Sequence, residues 1–351
     1  MSDIVPQPGQ VNMADVARRA GVSIATVSRA LRDLPGVSPL TRSRVLSAVA
    51  ELDYVVSPAA ASLRGATRSV AVVLPRLDSW FSATMLGTIE STLRQADLDV
   101  IVYQVGTQEQ RAAFFRDLPA RRKVDAVVLV TLPIRPEEEE RLDVMGVEVV
   151  VAGSRLRDFP SVSVDDVAIG MEAVAHLAGL GHTRIAMIRT SDTDGAKWAS
   201  DLHRRTGYLQ GLEHHGLPHD PELVVTAPYG VDAGAVGMER LLALADPPTA
   251  VFCYSDDIAV AASVAARRHG LAVPEDVSLV GVDGNGLGAL FDITTIDQHV
   301  PDQARAAGAM VIDALSGRSP ADPWLTLPTH LTVRGSTAAP RTVAGTARRR
   351  Q

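Results

Sequence analysis

The chain has 351 residues, 46% of them hydrophobic and 21% charged, which excludes a disordered tail protein or a fibrous repeat and leaves a globular protein of two or three folding units. Apolar runs such as Val70 to Leu74 and Val124 to Leu132 fall short of the roughly 20 residues that cross a bilayer, Met1 to Gln10 carry no export signal, and the single cysteine, Cys253, excludes disulfide and multi-cysteine zinc scaffolds. A cytoplasmic protein with no membrane partner, no metal and no cofactor is expected. The net charge of -7 argues against nucleic acid, but residues 1–66 hold seven arginines against five acids, a local +2 that leaves -9 on the remainder. A basic head on an acidic body confines phosphate attraction to the head.

From Asn12 to Leu52 the helical period occurs three times. Asn12 caps a helix with Met13, Val16, Ala17 and Ala20 on one face, and Gly21 ends it. Ser23 caps a second helix, Ile24 to Leu31, and so short a glycine-containing turn between two helices predicts a helix-turn-helix. Ser38 and Pro39 open a third helix, predicted to pack through Leu40, Val45, Leu46, Val49 and Leu52. The second helix then presents Ile24, Ala25, Thr26, Ser28 and Arg29 where a major-groove reader makes base contacts. Hydroxyls at helix starts, Ser23, Ser38 and Thr41, suit phosphate oxygens.

Asp15-Val16-Ala17, Ala20-Gly21-Val22-Ser23, Thr26-Val27-Ser28-Arg29-Ala30-Leu31 and Val37-Ser38 followed by Thr41-Arg42 together resemble the DNA-binding domain of the lactose-repressor (LacI/GalR) family. The resemblance implies base contact by Ile24, Ala25 and Arg29 with support from Thr26 and Ser28, and phosphate contact by Asn12, Ser23, Ser38, Thr41 and Tyr54. Apolar Ile24 and Ala25 can pack on thymine methyls but make no bidentate hydrogen bonds.

Ser57-Pro58 followed by Ala59 to Arg64 and then Gly65 spells a helix of about two turns, too short to be stable alone. In the resembled family this segment is a hinge helix that orders on the operator, with Leu63 as minor-groove wedge and Ala60 beside it.

From Ser69 onward, Val/Ile-rich runs alternate with amphipathic helices, the pattern of parallel sheets built from strand-helix-strand units. Nine strands are predicted, the first at Val70 to Leu74 and the last at Val277 to Val282, in two lobes. Leu180-Gly181-His182, Val273-Pro274-Glu275-Asp276-Val277-Ser278 and Thr294-Thr295-Ile296 extend the resemblance to that family's core, similar to a periplasmic sugar-binding protein. The expected fold class is thus an N-terminal all-α helix-turn-helix domain plus an α/β body of two doubly wound parallel-sheet lobes of periplasmic-binding-protein type I. The expected domains are a disordered extension (1–11), the DNA-binding domain (12–56), hinge and linker (57–68), an effector-binding and dimerisation body (69–337), and a disordered basic tail (338–351). Within the body the N-lobe is expected over about 69–160 and 292–322, and the C-lobe over about 161–291 and 323–337.

Open sheets bind small molecules beyond strand ends. Matching positions carry over Ser79, Trp80, Phe81, Asp165, Arg204, Ser255 and Asp283 as effector-binding residues, with Trp80 in place of a common proline and Ser255 where the family often has asparagine. An arginine with two carboxylates suits a polyol, so the expected effector is a sugar or sugar derivative, with a nucleoside or purine as the alternative. Gly284 to Ala289 formally fit a dinucleotide fingerprint but lack a long following helix, His214, His215 and His219 lack convergent spacing, and no nucleophile elbow occurs. An enzyme is not expected. A transport receptor is contradicted by the helix-turn-helix and the want of an export signal, and a sugar kinase by the want of a phosphate loop, while a sugar-binding protein that does not bind DNA stays as a second alternative. The expected protein is a homodimeric repressor whose binding to a pseudo-palindromic double-stranded DNA operator responds to a small molecule.

Overall fold

The computed structural model describes residues 13–31, 36–52, 68–121, 124–132, 134–145, 147–156, 159–191, 199–230 and 232–341. It divides into two units, Met1–Thr67 and Arg68–Gln351. Asn12, Tyr54, Ala60 and Leu63, and with them the predicted hinge helix, lie outside the described residues, as does the side chain of Ser28.

The first unit holds α1 (Met13–Ala20), α2 (Ile24–Leu31) and α3 (Pro39–Glu51). Gly21, at φ +63°, makes the left-handed turn that closes α1, and the Val22 N–H donates to the Ala17 carbonyl at 3.0 Å. Val16, Ala17, Ala20, Val27, Ala30, Val45 and Ala48 form its core. Ser38 caps α3 as expected, accepting from the Thr41 N–H at 3.2 Å. Arg44 Nη2 donates to the Ala20 carbonyl at 2.6 Å, so α3 supplies the partner that the end of α1 lacks. The predicted packing of α3 is corrected at two positions: Leu40 and Leu46 are 74% and 50% exposed. Val45, Ala48, Val49 and Leu52 share one face at spacings of three and four, and Leu40 and Leu46 lie off that face.

The second unit holds two six-stranded sheets. Its first strands are β1 (Ser69–Leu74), β2 (Asp99–Gln104), β3 (Ala126–Val130), β4 (Glu148–Ala152) and β5 (Ser161–Ser163), joined by α4 (Trp80–Arg94), α5 (Gln108–Arg121) and α6 (Pro136–Met145). Then follow α7 (Asp166–Gly179), β6 (Ile185–Ser191), α8 (Ala199–His214), β7 (Val224–Pro228), α9 (Ala233–Leu242), β8 (Ala250–Cys253), α10 (Asp256–Arg268), β9 (Ser278–Asp283), α11 (Gly286–Leu290) and β10 (Thr294–Asp297). The chain finishes with α12 (Val300–Leu315), β11 (Trp324–Thr326) and β12 (His330–Thr332). The sheet orders are β11-β5-β4-β3-β1-β2 and β12-β10-β9-β8-β6-β7, parallel throughout except for the antiparallel β10–β12 pair. Runs such as Val70 to Leu74 and Ala126 to Val130 are buried on both faces, which is why they read as continuous apolar stretches.

The lobe boundaries differ from those expected at every crossing. β5 lies in the first sheet, where Ser161 and Val162 pair with Val151 and Ala152. β10 stays in the second sheet beside β9, and β11 returns to the first beside β5. The chain therefore crosses between lobes after Ser163, after Asp297 and after Thr326. Short polar strands hid these boundaries: Thr294 and Thr295 are buried because their hydroxyls find the Arg334 carbonyl and the Gly284 N–H, partners remote in sequence. The tail also begins later than residue 338. The Ala338 N–H donates to Ser278 Oγ at 3.1 Å, His182 Nε2 lies 2.9 Å from the Ala338 carbonyl, and Arg341 pairs with Asp276. Residues 342–351 lie outside the described residues.

α7 and α8 pack backbone to backbone. A Cβ on Gly170 would stand 2.3 Å from the Arg204 carbonyl oxygen, and one on Gly207 would stand 1.9 Å from that of Val167. Backbone cannot yield as a side chain can, so Gly207→Ala must push the helices apart at a cost of about 1–3 kcal/mol. A fall in melting temperature of roughly 2–10 °C is expected by calorimetry, and an unchanged value would show that the helices are free to separate.

Candidate effector cleft and DNA-reading face

In the head, Ile24 is 51% exposed, and Ala25 and Arg29 are exposed beside it on the first two turns of α2. Thr26 turns its hydroxyl back to Ser23 Oγ at 2.8 Å, and the Thr26 N–H donates to the same Ser23 oxygen at 3.1 Å. Ser38 and Thr41 make the equivalent pair at α3, with their hydroxyls 2.9 Å apart. Among the described residues, Ile24, Ala25 and Arg29 thus stand exposed on α2, and Ser23, Ser38 and Thr41 at the capped starts of α2 and α3.

The second unit has a cleft between its lobes at the carboxyl ends of the parallel strands. Ser79, Phe81 and Ser82 follow β1, Thr131 follows β3, Gly153 follows β4, Asp166 follows β5, and Tyr229, Tyr254, Ser255, Asp283 and Gln298 follow or end β7 to β10. Ser200 and Arg204 come from α8. Of the seven expected effector residues, Ser79, Phe81, Arg204, Ser255 and Asp283 line the cleft. Trp80 does not; it packs against the N-lobe core, because neighbouring residues on a helix point about 100° apart and Phe81 takes the cleft side. Asp165 does not either. Its carboxylate caps α7, accepting from the Val167 and Ala168 N–H groups, each at 3.0 Å, and the next residue, Asp166, supplies the cleft carboxylate.

Arg204 is 3% exposed. Its Nε donates to Asp166 Oδ1 at 2.8 Å, its Nη1 to the Tyr254 carbonyl at 2.6 Å, and its guanidinium lies 4.7 Å from the Tyr254 ring centre. Burial works against the Arg204 charge, yet the Asp166 carboxylate, Tyr254 and Asp283 together more than offset this and hold its pKa above the ordinary value. Ser200 Oγ and the Tyr254 hydroxyl are 2.9 Å apart. At the foot of α8, Asp201 pairs with Arg189 of β6, which anchors the helix that carries Ser200 and Arg204.

Asp283 ends β9 with φ +123°, a conformation that L side chains rarely adopt, and its Oδ1 accepts from Gln298 Nε2 at 2.6 Å. Burial, then the neighbouring Asp256 carboxylate, pushes its pKa well above the ordinary range. Asp256 opens α10 fully buried, accepting the Asn285 N–H at 2.9 Å, and burial pushes it up to about 7. Strained backbone and two buried acids at one strand end mark a site held for function at the expense of stability.

Sequence reasoning missed Ser82, Thr131, Gly153, Asp166, Ser200, Tyr229, Tyr254 and Gln298. For five of these a signal was available: Thr131, Gly153, Tyr229, Tyr254 and Gln298 each stand immediately after a strand.

Asp256 ionises near 3.8 when unfolded and near 7 when folded, so the folded state binds the extra proton and stability falls as pH rises across that window. Asp256→Asn is therefore expected to gain more melting temperature relative to wild type at pH 8 than at pH 5, by roughly 2 °C or more. Burial lowers the pKa of His176 and His182 and gives a slope of opposite sign, which cancels when variant and wild type are compared at each pH. An equal effect at both pH values would contradict a neutral Asp256.

Two family models match the chain: bacterial regulatory proteins of the lacI family over residues 12–57, and a periplasmic binding protein-like domain over residues 174–337. The HTH-type transcriptional repressor CytR of Escherichia coli (strain K12) is 32% identical over 338 residues, covering 95% of this chain and 98% of the relative. Catabolite control protein A of Priestia megaterium is 28% identical, covering 93% and 99%. Among solved structures, the complex of the transcriptional regulator CelR with cellobiose is 29% identical with a TM-score of 0.70, covering 93% of this chain and 100% of that one. The lac repressor dimer bound to operator and the anti-inducer ONPF shares the fold, with a TM-score of 0.80 at 23% identity over 94% of this chain and 100% of that one. With near-complete coverage of a relative at that first level of identity, the chain belongs to the lacI family of bacterial regulatory proteins.

Proposed function

We propose that this chain is a cytoplasmic repressor that binds a pseudo-palindromic operator as a homodimer and changes its grip when a sugar or related polyol enters the cleft. The observation that carries the reading is the joining, in one chain, of an open helix-turn-helix face to a cleft where Arg204, Asp166, Asp283 and Gln298 converge buried. Ile24, Ala25 and Arg29 read base edges with Thr26 and Ser28 in support, while Ser23, Ser38 and Thr41, with Asn12 and Tyr54, hold phosphates. Ser79, Phe81, Arg204, Ser255 and Asp283, joined by Asp166, Ser200, Tyr229, Tyr254 and Gln298, hold the effector. The cellobiose bound by the related CelR supports a sugar.

Support for the homodimer comes from α11, where Leu287 is 44% and Leu290 78% exposed, beside a groove in which Ala235, Val260, Ala261 and Val264 are mixed with Asp78, Asp232, Asp257 and Arg268. Two copies would bring two heads to one operator. Coupling would pass through residues 57–65, where ordering of a short helix and insertion of Leu63, beside Ala60, depend on the spacing of the two bodies. Such coupling is worth about 1–3 kcal/mol, or roughly 5–150-fold in operator affinity.

The test selects a duplex from a random pool, then titrates it by fluorescence anisotropy at physiological salt with and without candidate sugars and nucleosides. A palindrome bound roughly 1,000-fold or more tighter than random duplex is expected, and Leu63→Ala is expected to weaken operator binding while leaving ligand binding intact. No preference for any palindrome would contradict the reading.

A further inference from the structure

Resting on that reading of the cleft, we propose that it selects an uncharged polyhydroxylated ligand and rejects the phosphorylated form of the same molecule. Among the described residues lining the cleft, Arg204 is the one basic side chain. Phosphate sites use a free guanidinium fork or a lysine. The Arg204 fork is occupied on two of its three nitrogens, by Asp166 Oδ1 at 2.8 Å and the Tyr254 carbonyl at 2.6 Å, and its face by the Tyr254 ring. Asp166 cancels its charge, and Asp283, 5% exposed in the same wall, adds a second carboxyl group. A phosphate ester carrying close to two negative charges would be desolvated, among the described residues, against a single cation that Asp166 already neutralises.

The helix starts that could have attracted an anion are already engaged. Ser79 Oγ accepts the Ser82 N–H at 3.1 Å at the start of α4, and Ser255 Oγ accepts the Ile258 N–H at 3.3 Å at the start of α10. Asp256 and Asp257 already occupy the first turn of α10 with carboxyl groups of the protein's own. Each serine keeps a hydroxyl proton to donate, and Asp283 and Gln298 can accept and donate in turn, which matches ligand hydroxyls that do both. Phe81 brings apolar surface to the ligand's carbon skeleton, while the Tyr229 ring is stacked by the Arg76 guanidinium at 4.0 Å, itself paired with Asp78.

The experiment is a thermal-shift screen of the full chain against a library of neutral sugars and nucleosides together with their phosphate esters, including glucose with glucose 6-phosphate, cellobiose with cellobiose 6-phosphate, and adenosine with its 5′-monophosphate. Hits are then measured as matched pairs by calorimetry, and assigned to the cleft by their loss in Asp283→Ala. The expected result is that each cleft ligand is neutral and binds at least about tenfold more tightly than its ester. An ester binding the cleft as tightly as its neutral partner, or more tightly, overturns the proposal. A library without a single cleft ligand overturns the effector reading and the proposal with it. A neutral cleft ligand that leaves operator affinity unchanged upholds the charge selection and removes only the regulatory reading.

Discussion

Everything the cleft can do depends on how closely α7 and α8 approach. Gly170 and Gly207 let the two backbones touch, so that the Arg204 carbonyl of α8 lies against Gly170 of α7 while its side chain reaches Asp166 at the start of that same helix. A buried ion pair is costly unless its geometry is tightly held and its remaining donors are satisfied. Here the helix contact holds the geometry, and the Tyr254 carbonyl and ring take up the donor and the face. The pair is therefore rigid before any ligand arrives, and pre-organisation of this kind spares the ligand the cost of ordering its own site.

Destabilising features gather beside this pair, in the same wall. Asp283 holds an unusual backbone angle and faces a second buried acid, Asp256, across β9 and α10. Neither feature serves the apolar cores, where alternate strand residues pack normally. Gln298, just after β10, ties Asp283 to the segment that leads into α12 of the first lobe. A ligand contact at Asp283 would thus be felt where the chain crosses between lobes, the place where a change in closure would be absorbed.

Much of the fold was legible because its signals are local. Buried parallel strands read as short Val/Ile runs, the head's helices announce themselves by Ser23, Ser38, Pro39 and Gly21, and Arg204 could be placed by its distance from Gly207. What stayed illegible depended on remote partners. The crossings at Ser163, Asp297 and Thr326 follow strands of only three or four residues, and at the second of them the Thr294 hydroxyl is satisfied by Arg334 and Thr337, far along the chain. Trp80 against Phe81, and Asp165 against Asp166, were each resolved by a single residue's rotation about a helix start, which composition and spacing do not report. Tyr254 was missed because its role needs the Arg204 guanidinium above it, a contact across 50 residues of sequence.

The measurement that bears most directly on the account is ligand binding by Arg204→Lys, read by calorimetry with a ligand that the wild-type protein binds. Lysine keeps the charge but cannot hold the Asp166 carboxylate, the Tyr254 carbonyl and a ligand hydroxyl at once. The account predicts affinity reduced at least about tenfold with operator binding preserved. Wild-type affinity in that variant would show that charge alone suffices, and that the geometry fixed by the two glycines is not what the ligand recognises.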